Sequence, residues 1–154
     1  MSRKLDHHCK TIVGVLHDLL LNTNWELKEI KDANRSEVSR ILSESKLFLS
    51  TSFEEGFGLP VAEAMISECI IVGYDGYGGR DLSQNESSFF VANGDLNAFV
   101  SKLKHIIDEL NMDFNKYENV VQINRQFVLT HYSRQEYLVN LERIWKTILI
   151  KGSE

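Results

Sequence analysis

Glu55-Gly-Phe-Gly-Leu-Pro-Val-Ala-Glu63-Ala-Met65 is the stretch on which the reading of this chain turns. An apolar run, Leu47-Phe-Leu49, precedes it, and a second, Cys69-Ile-Ile-Val72, follows. Both runs have the length and composition of buried strands, so the segment between them is read as a glycine-rich turn opening a helix. Gly56 and Gly58 carry no Cβ, which permits positive φ and a close approach to the backbone. Leu59-Pro60 starts the helix, where the missing proline N–H is harmless. Val61, Ala64 and Met65 share one face at i, i+3, i+4 spacing and are expected to pack on the sheet.

The acids flank this turn. Glu63 lies one residue off the packed face, is placed in the first helical turn and is expected at the rim of a pocket. Glu55 lies in the loop before it. Unpaired N–H groups and about half a positive charge at the helix start suit an anion. A carboxylate beside them accepts from neighbouring hydroxyls such as a ribose diol, and Glu55 from those of a second polar group. A ligand with diphosphate, ribose and sugar would use all three features; a nucleotide alone would use two.

Working outward, Asp6 to Leu21 reads as a helix with an apolar stripe of Ile12, Val13, Leu16, Leu19 and Leu20. Trp25 to Ile30 alternates like a short strand. Asn34 with Glu37 resembles a capping box for a helix to about Ser45. Lys46 to Ser50, Cys69 to Tyr74 and Ser88 to Ala92 are expected strands, Leu59 to Glu68 a helix and Asp75 to Gly79 a loop. From Asp95 the pattern is helical: a stripe from Leu96 to Leu110, a helix over Asn115 to Thr130, and a third opened by Ser133 and Glu136. Alternating strands and helices predict an α/β fold, a right-handed parallel sheet of Rossmann-like type with a helical tail. Residues 1–94 form the α/β part of a single domain and 95–154 its helical part.

Ser50 to Met65, together with Ile70-Ile-Val72 and Gly78-Gly79-Arg80-Asp81, resembles the signature of the retaining "group 1" glycosyltransferases of GT-B fold. The match is long and ordered. The resemblance implies that the chain corresponds to the C-terminal, donor-binding half of such an enzyme and that Glu55 and Glu63 are its E-x7-E pair. It implies that Glu63 binds the donor ribose. By the same resemblance Glu55, the catalytic candidate, and the loop Gly56, Phe57, Gly58, Leu59 and Pro60 would face the transferred sugar and diphosphate, and Gly79 would belong to the donor-binding set. Arg3 and Lys4 stand where the family places diphosphate-gripping cations, although the glycine before the arginine is missing. The implied donor is a nucleoside-diphosphate sugar, with no cofactor and no metal, and polysaccharide biosynthesis is the implied setting. The C-terminal helix resembles the element that braces the other domain, so a separate N-terminal GT-B domain, or a homo-oligomer, is the expected partner. The reading from a different class is a non-catalytic Rossmann-like remnant that associates through its helical tail.

Composition narrows the field. The chain has 154 residues, 43% hydrophobic and 25% charged, enough for one core. A net charge of −5 without a basic block argues against a nucleic-acid partner. Cys9 and Cys69 have no paired spacing, which suits reduced thiols in the cytoplasm. No apolar run reaches the roughly 20 residues of a membrane span, so any contact with the inner membrane is expected to be peripheral, through a partner. His7-His8-Cys9 lacks a second ligand cluster of zinc-like spacing. Tyr74, Tyr77, Phe89 and Phe90 near the glycine loop could stack on a base; core packing is the expected role of Phe89 and Phe90, and Tyr77 is the one to test.

Overall fold

The computed structural model describes residues 6–21, 23–83 and 88–151. Its centre is a parallel sheet in the order β1 (Leu47–Ser50), β2 (Ile70–Tyr74), β3 (Phe89–Val91). The register pairs Leu47 with Ile70, Ser50 with Gly73 and Val72 with Phe89. Helices α1 (Asp6–Leu20), α2 (Arg35–Ser43), α3 (Leu59–Ile66), the single turn α4 (Arg80–Ser83), α5 (Leu96–Met112), α6 (Glu118–His131) and α7 (Arg134–Lys151) surround or extend it.

Every residue of β2 is buried, so this strand is apolar on both faces, as a central parallel strand must be. Ile70, Val72 and Tyr74 meet α1 and α5 through Ile12, Leu16, Phe99, Leu103 and Ile106. Ile71 points the other way, into Leu42, Val61, Ala64, Met65, Leu82 and Val128 from α2, α3, α4 and α6. The result is two helical layers around one sheet. Ala64 and Met65 have no exposed surface, as the spacing in α3 predicts.

Side-chain caps mark three helix starts. Asn34 Oδ1 accepts from the Glu37 amide at 3.0 Å, Asp95 Oδ1 from Ala98 at 2.9 Å and Ser133 Oγ from Glu136 at 3.2 Å. Burial holds the Cys69 thiol neutral, raising its pKa to about 11, while it donates to the Leu42 carbonyl at 3.3 Å.

Trp25 to Ile30 is a correction. Trp25 and Leu27 do turn inward, and their neighbours outward, but the segment has no regular secondary structure and does not join the sheet. Trp25 Nε1 instead donates to Asn111 Oδ1 at 2.8 Å, at the end of α5. Alternation reports one-sided burial, and burial needs no ladder partner. The terminal helix α7 forms as the capping pattern predicts, and its large apolar side chains are exposed, from Leu141 at 37% to Ile150 at 70%.

Candidate functional site

The carboxyl ends of the three strands lie along one edge of the sheet, and the loops leaving them are laced together there. Ser50 Oγ donates to the Tyr74 carbonyl at 2.6 Å, tying the end of β1 to that of β2. The Glu55 amide donates to the Gly76 carbonyl at 2.9 Å, and Glu55 and Tyr77 form an isolated parallel bridge. Asn93, after β3, donates through Nδ2 to Asp75 Oδ1 at 3.0 Å, and the same oxygen accepts the Tyr77 amide at 2.9 Å. Arg80 Nε lies 3.8 Å from Asp75 Oδ2. One carboxylate thus holds residues 77, 80 and 93 in place.

Glycine is required at two points of this lacework. A Cβ on Gly78 would stand 1.9 Å from the Glu55 carbonyl oxygen and 2.3 Å from that of Gly56. One on Gly73 would stand 2.1 Å from the Ser50 carbonyl oxygen, and the residue has φ +134°. Bare backbone here lets the ends of β1 and β2 approach at Gly73, and the loops that leave them touch at Gly78.

Gly58 caps α3 with φ +84°, and the carbonyl of Gly58 accepts the amides of Val61 and Ala62 at 2.9 and 3.0 Å. Pro60 has no N–H, so the amides that α3 leaves over in its first turn are those of Gly58 and Leu59. The Phe57 ring is tied down against Tyr132 at the end of α6, 4.8 Å between centroids, which fixes the loop just before these amides. Gly79 backs Gly58: a Cβ on Gly58 would lie 3.6 Å from Gly79 Cα. Burial, and then the Asp81 charge, raise the pKa of the Tyr132 hydroxyl above its ordinary value.

Glu55 and Glu63 are both exposed. Glu63 is the fifth residue of α3, one turn below Leu59 on the same exposed face, so its expected place in the first turn is corrected. Of the two glycines whose missing Cβ permits positive φ, Gly58 adopts it and Gly56 does not. The structure brings Gly56, Phe57, Gly58, Leu59, Pro60 and Gly79 together at this edge with Glu55, and Glu63 projects from the helix they open. Arg3 and Lys4 lie outside the described residues.

Asp75 and Asn93 were missed as organisers of the site. An Asp two residues before an aromatic in a glycine loop is a weak turn signal, and nothing in the sequence links it to a position eighteen residues on. Among the described residues no group of three His, Cys, Asp or Glu is arranged to hold a metal ion, and no helix is long and apolar enough to cross a membrane.

Comparison with known proteins gives two findings. The sequence profile of the family described as "Glycosyl transferases group 1" matches residues 16–127. An "Alpha-1,6-glucosyltransferase" of Actinobacillus pleuropneumoniae serotype 7 (strain AP76) is 31% identical over 114 residues, which is 69% of this chain and 34% of that protein. The chain therefore spans about a third of the length of the curated relative it matches. No solved structure matches significantly.

Proposed function

Since this chain belongs to the group 1 glycosyltransferases, we propose that it is the donor-binding half of a retaining GT-B enzyme, holding a nucleoside-diphosphate sugar for hexosyl transfer. The observation that carries this reading is the convergence of Glu55, the Gly58 and Leu59 amides and the Gly78–Gly79 loop on one sheet edge, with Glu63 on the helix they open.

The chemistry assigns a part to each group. Leaving diphosphate gains negative charge as the anomeric bond breaks, and the start of α3 offers it amides and the positive end of the helix dipole. Arg3 and Lys4 are proposed to add cationic charge to the same anion. Glu63 accepts from the ribose hydroxyls. Glu55 orients the transferred sugar and offsets the positive charge that builds on it. The relative's name, a glucosyltransferase, makes a glucosyl donor the first to try.

One wall of a cleft binds a donor but does not align an acceptor or exclude water, so transfer is proposed to require a separate N-terminal domain. The test is a titration of the 154-residue protein with a panel of nucleoside-diphosphate sugars, in parallel with Glu63→Ala. Saturable binding that Glu63→Ala removes supports the reading. Equal titrations of the two proteins refute it, and robust transfer without a partner refutes the two-wall requirement.

The association reading is favoured by one observation, the exposed apolar side of α7. Tyr137, Leu141, Ile144 and Ile148 recur at helical spacing on that side, with Leu138, Trp145 and Leu149 beside them. On that reading α7 is a docking surface whether or not the chain binds a donor, and sedimentation of the purified protein alone separates self-association from a need for another chain.

A further inference from the structure

Tyr77 has a backbone that its neighbours would tolerate better. Its φ is +61°, a region open to the glycines on either side of it and strained for an aromatic residue. The strain is held from two directions: the Tyr77 amide donates to Asp75 Oδ1 at 2.9 Å, and the residue is bridged to Glu55. Packing does not explain the ring, because 56% of the residue is exposed. The guanidinium of Arg80 lies 5.1 Å from the ring centroid and is itself 3.8 Å from Asp75. A rigid, glycine-framed loop therefore presents an aromatic face to solvent, steadied by a cation, beside the acid assigned to the transferred sugar.

We propose that Tyr77 is a sugar-stacking, specificity-determining residue: its ring takes the apolar C–H face of the donor hexose next to Glu55. The inference rests on the donor-binding reading above. A hexose is favoured over a nucleobase because the bridge sets Tyr77 against Glu55, whereas Glu63 lies a turn inside α3. An aromatic face distinguishes epimeric sugars by which ring hydrogens lie axial on the contacted side, so the ring acts on sugar choice as well as on affinity.

The experiment compares wild type, Tyr77→Gly and Tyr77→Phe, each titrated by ligand-observed NMR with a nucleoside diphosphate, its glucose conjugate and its galactose conjugate. Tyr77→Gly removes the ring while adopting the same backbone without strain, so folding is preserved, and thermal unfolding checks this. The expected result is a loss of about fivefold or more in glucose-conjugate affinity for Tyr77→Gly, with the bare nucleoside diphosphate unchanged, the epimer preference narrowed and Tyr77→Phe close to wild type. Binding by wild type with an unchanged sugar increment in Tyr77→Gly overturns this inference and leaves the donor reading standing. An equal loss for the bare nucleoside diphosphate overturns it too, by showing a role that is not sugar-specific. Failure of wild type to bind any of the three overturns the donor reading and the inference with it.

Discussion

Helices α3 and α7 both carry apolar faces at helical spacing, and the fold treats them in opposite ways. In α3, Val61, Ala62, Ala64 and Met65 are buried between β2 and α6. In α7, Tyr137, Ile144, Trp145 and Ile148 are all more than half exposed. A stripe of hydrophobic residues is therefore an offer of burial, and neighbouring elements decide whether it is met. The site lies on the side where the offer is met: α3 is pinned by its small residues, and its start is held where the loops converge.

The comparison breaks most sharply at Gly73, beneath the site. Gly73→Ala puts a Cβ against the Ser50 carbonyl and the Phe99 ring, and we expect a loss of about 4 kcal/mol or more in urea unfolding. Survival of wild-type stability would show that the strands separate easily and that the close approach is not required. Met65→Ala is next: a fully buried side chain in α3 is expected to cost about 2–4 kcal/mol by chemical denaturation. A cost near zero would place α3 on the same footing as α7.

Glu63→Ala sharpens the contrast within α3 itself. Its exposed carboxylate should leave the melting temperature unmoved while weakening donor binding about tenfold or more, roughly 1.4 kcal/mol, by titration. A shift in melting without a shift in affinity would make the residue structural.

Acid stability compares two carboxylates. Glu109 is held below its ordinary 4.5 by hydrogen bonds from Lys116 and then Tyr117, residues that connect α5 to α6. Its folded pKa is depressed, so its contribution is present above the ordinary value and drains away as pH falls through the lowered one. Glu142 is also depressed, by Lys146 one turn along the same exposed helix. That local pair needs no tertiary fold. Glu109→Gln is expected to flatten the fall of stability below about pH 4.5, and Glu142→Gln to leave it nearly unchanged, both read by denaturation at stepped pH. The smallest effect belongs to Leu141→Ala, expected within about 0.5 kcal/mol of wild type. A larger loss would show that α7 is packed in solution after all.

Much of this was legible from short-range patterns. The apolar runs at Leu47 and Ile70, the i, i+3, i+4 face of α3 and the side-chain caps at Asn34, Asp95 and Ser133 all depend on residues a few positions apart. Glu55 and Glu63 stand out in the sequence because a glycine-rich turn lies between them; the structure sets Glu55 in the loop at the sheet edge and Glu63 on α3. The segment from Trp25 was misread because alternation looks the same for a strand and for an irregular chain lying on a core. Glu63 was placed a turn too early although the helix start at Leu59 was read as the structure has it: the fifth residue lies beyond the first turn of about 3.6 residues.

By itself the chain determined which helix faces are apolar and where the side-chain-capped helices begin, since propensity, spacing and capping act over one or two turns. Folding in three dimensions decided the rest: that Asp75 anchors Tyr77, Arg80 and Asn93, that Gly78 must be bare against Glu55, and that α7 remains uncovered. Those contacts join separate loops and layers, and hydrogen bonds and burial act on distance in space, which local sequence does not encode.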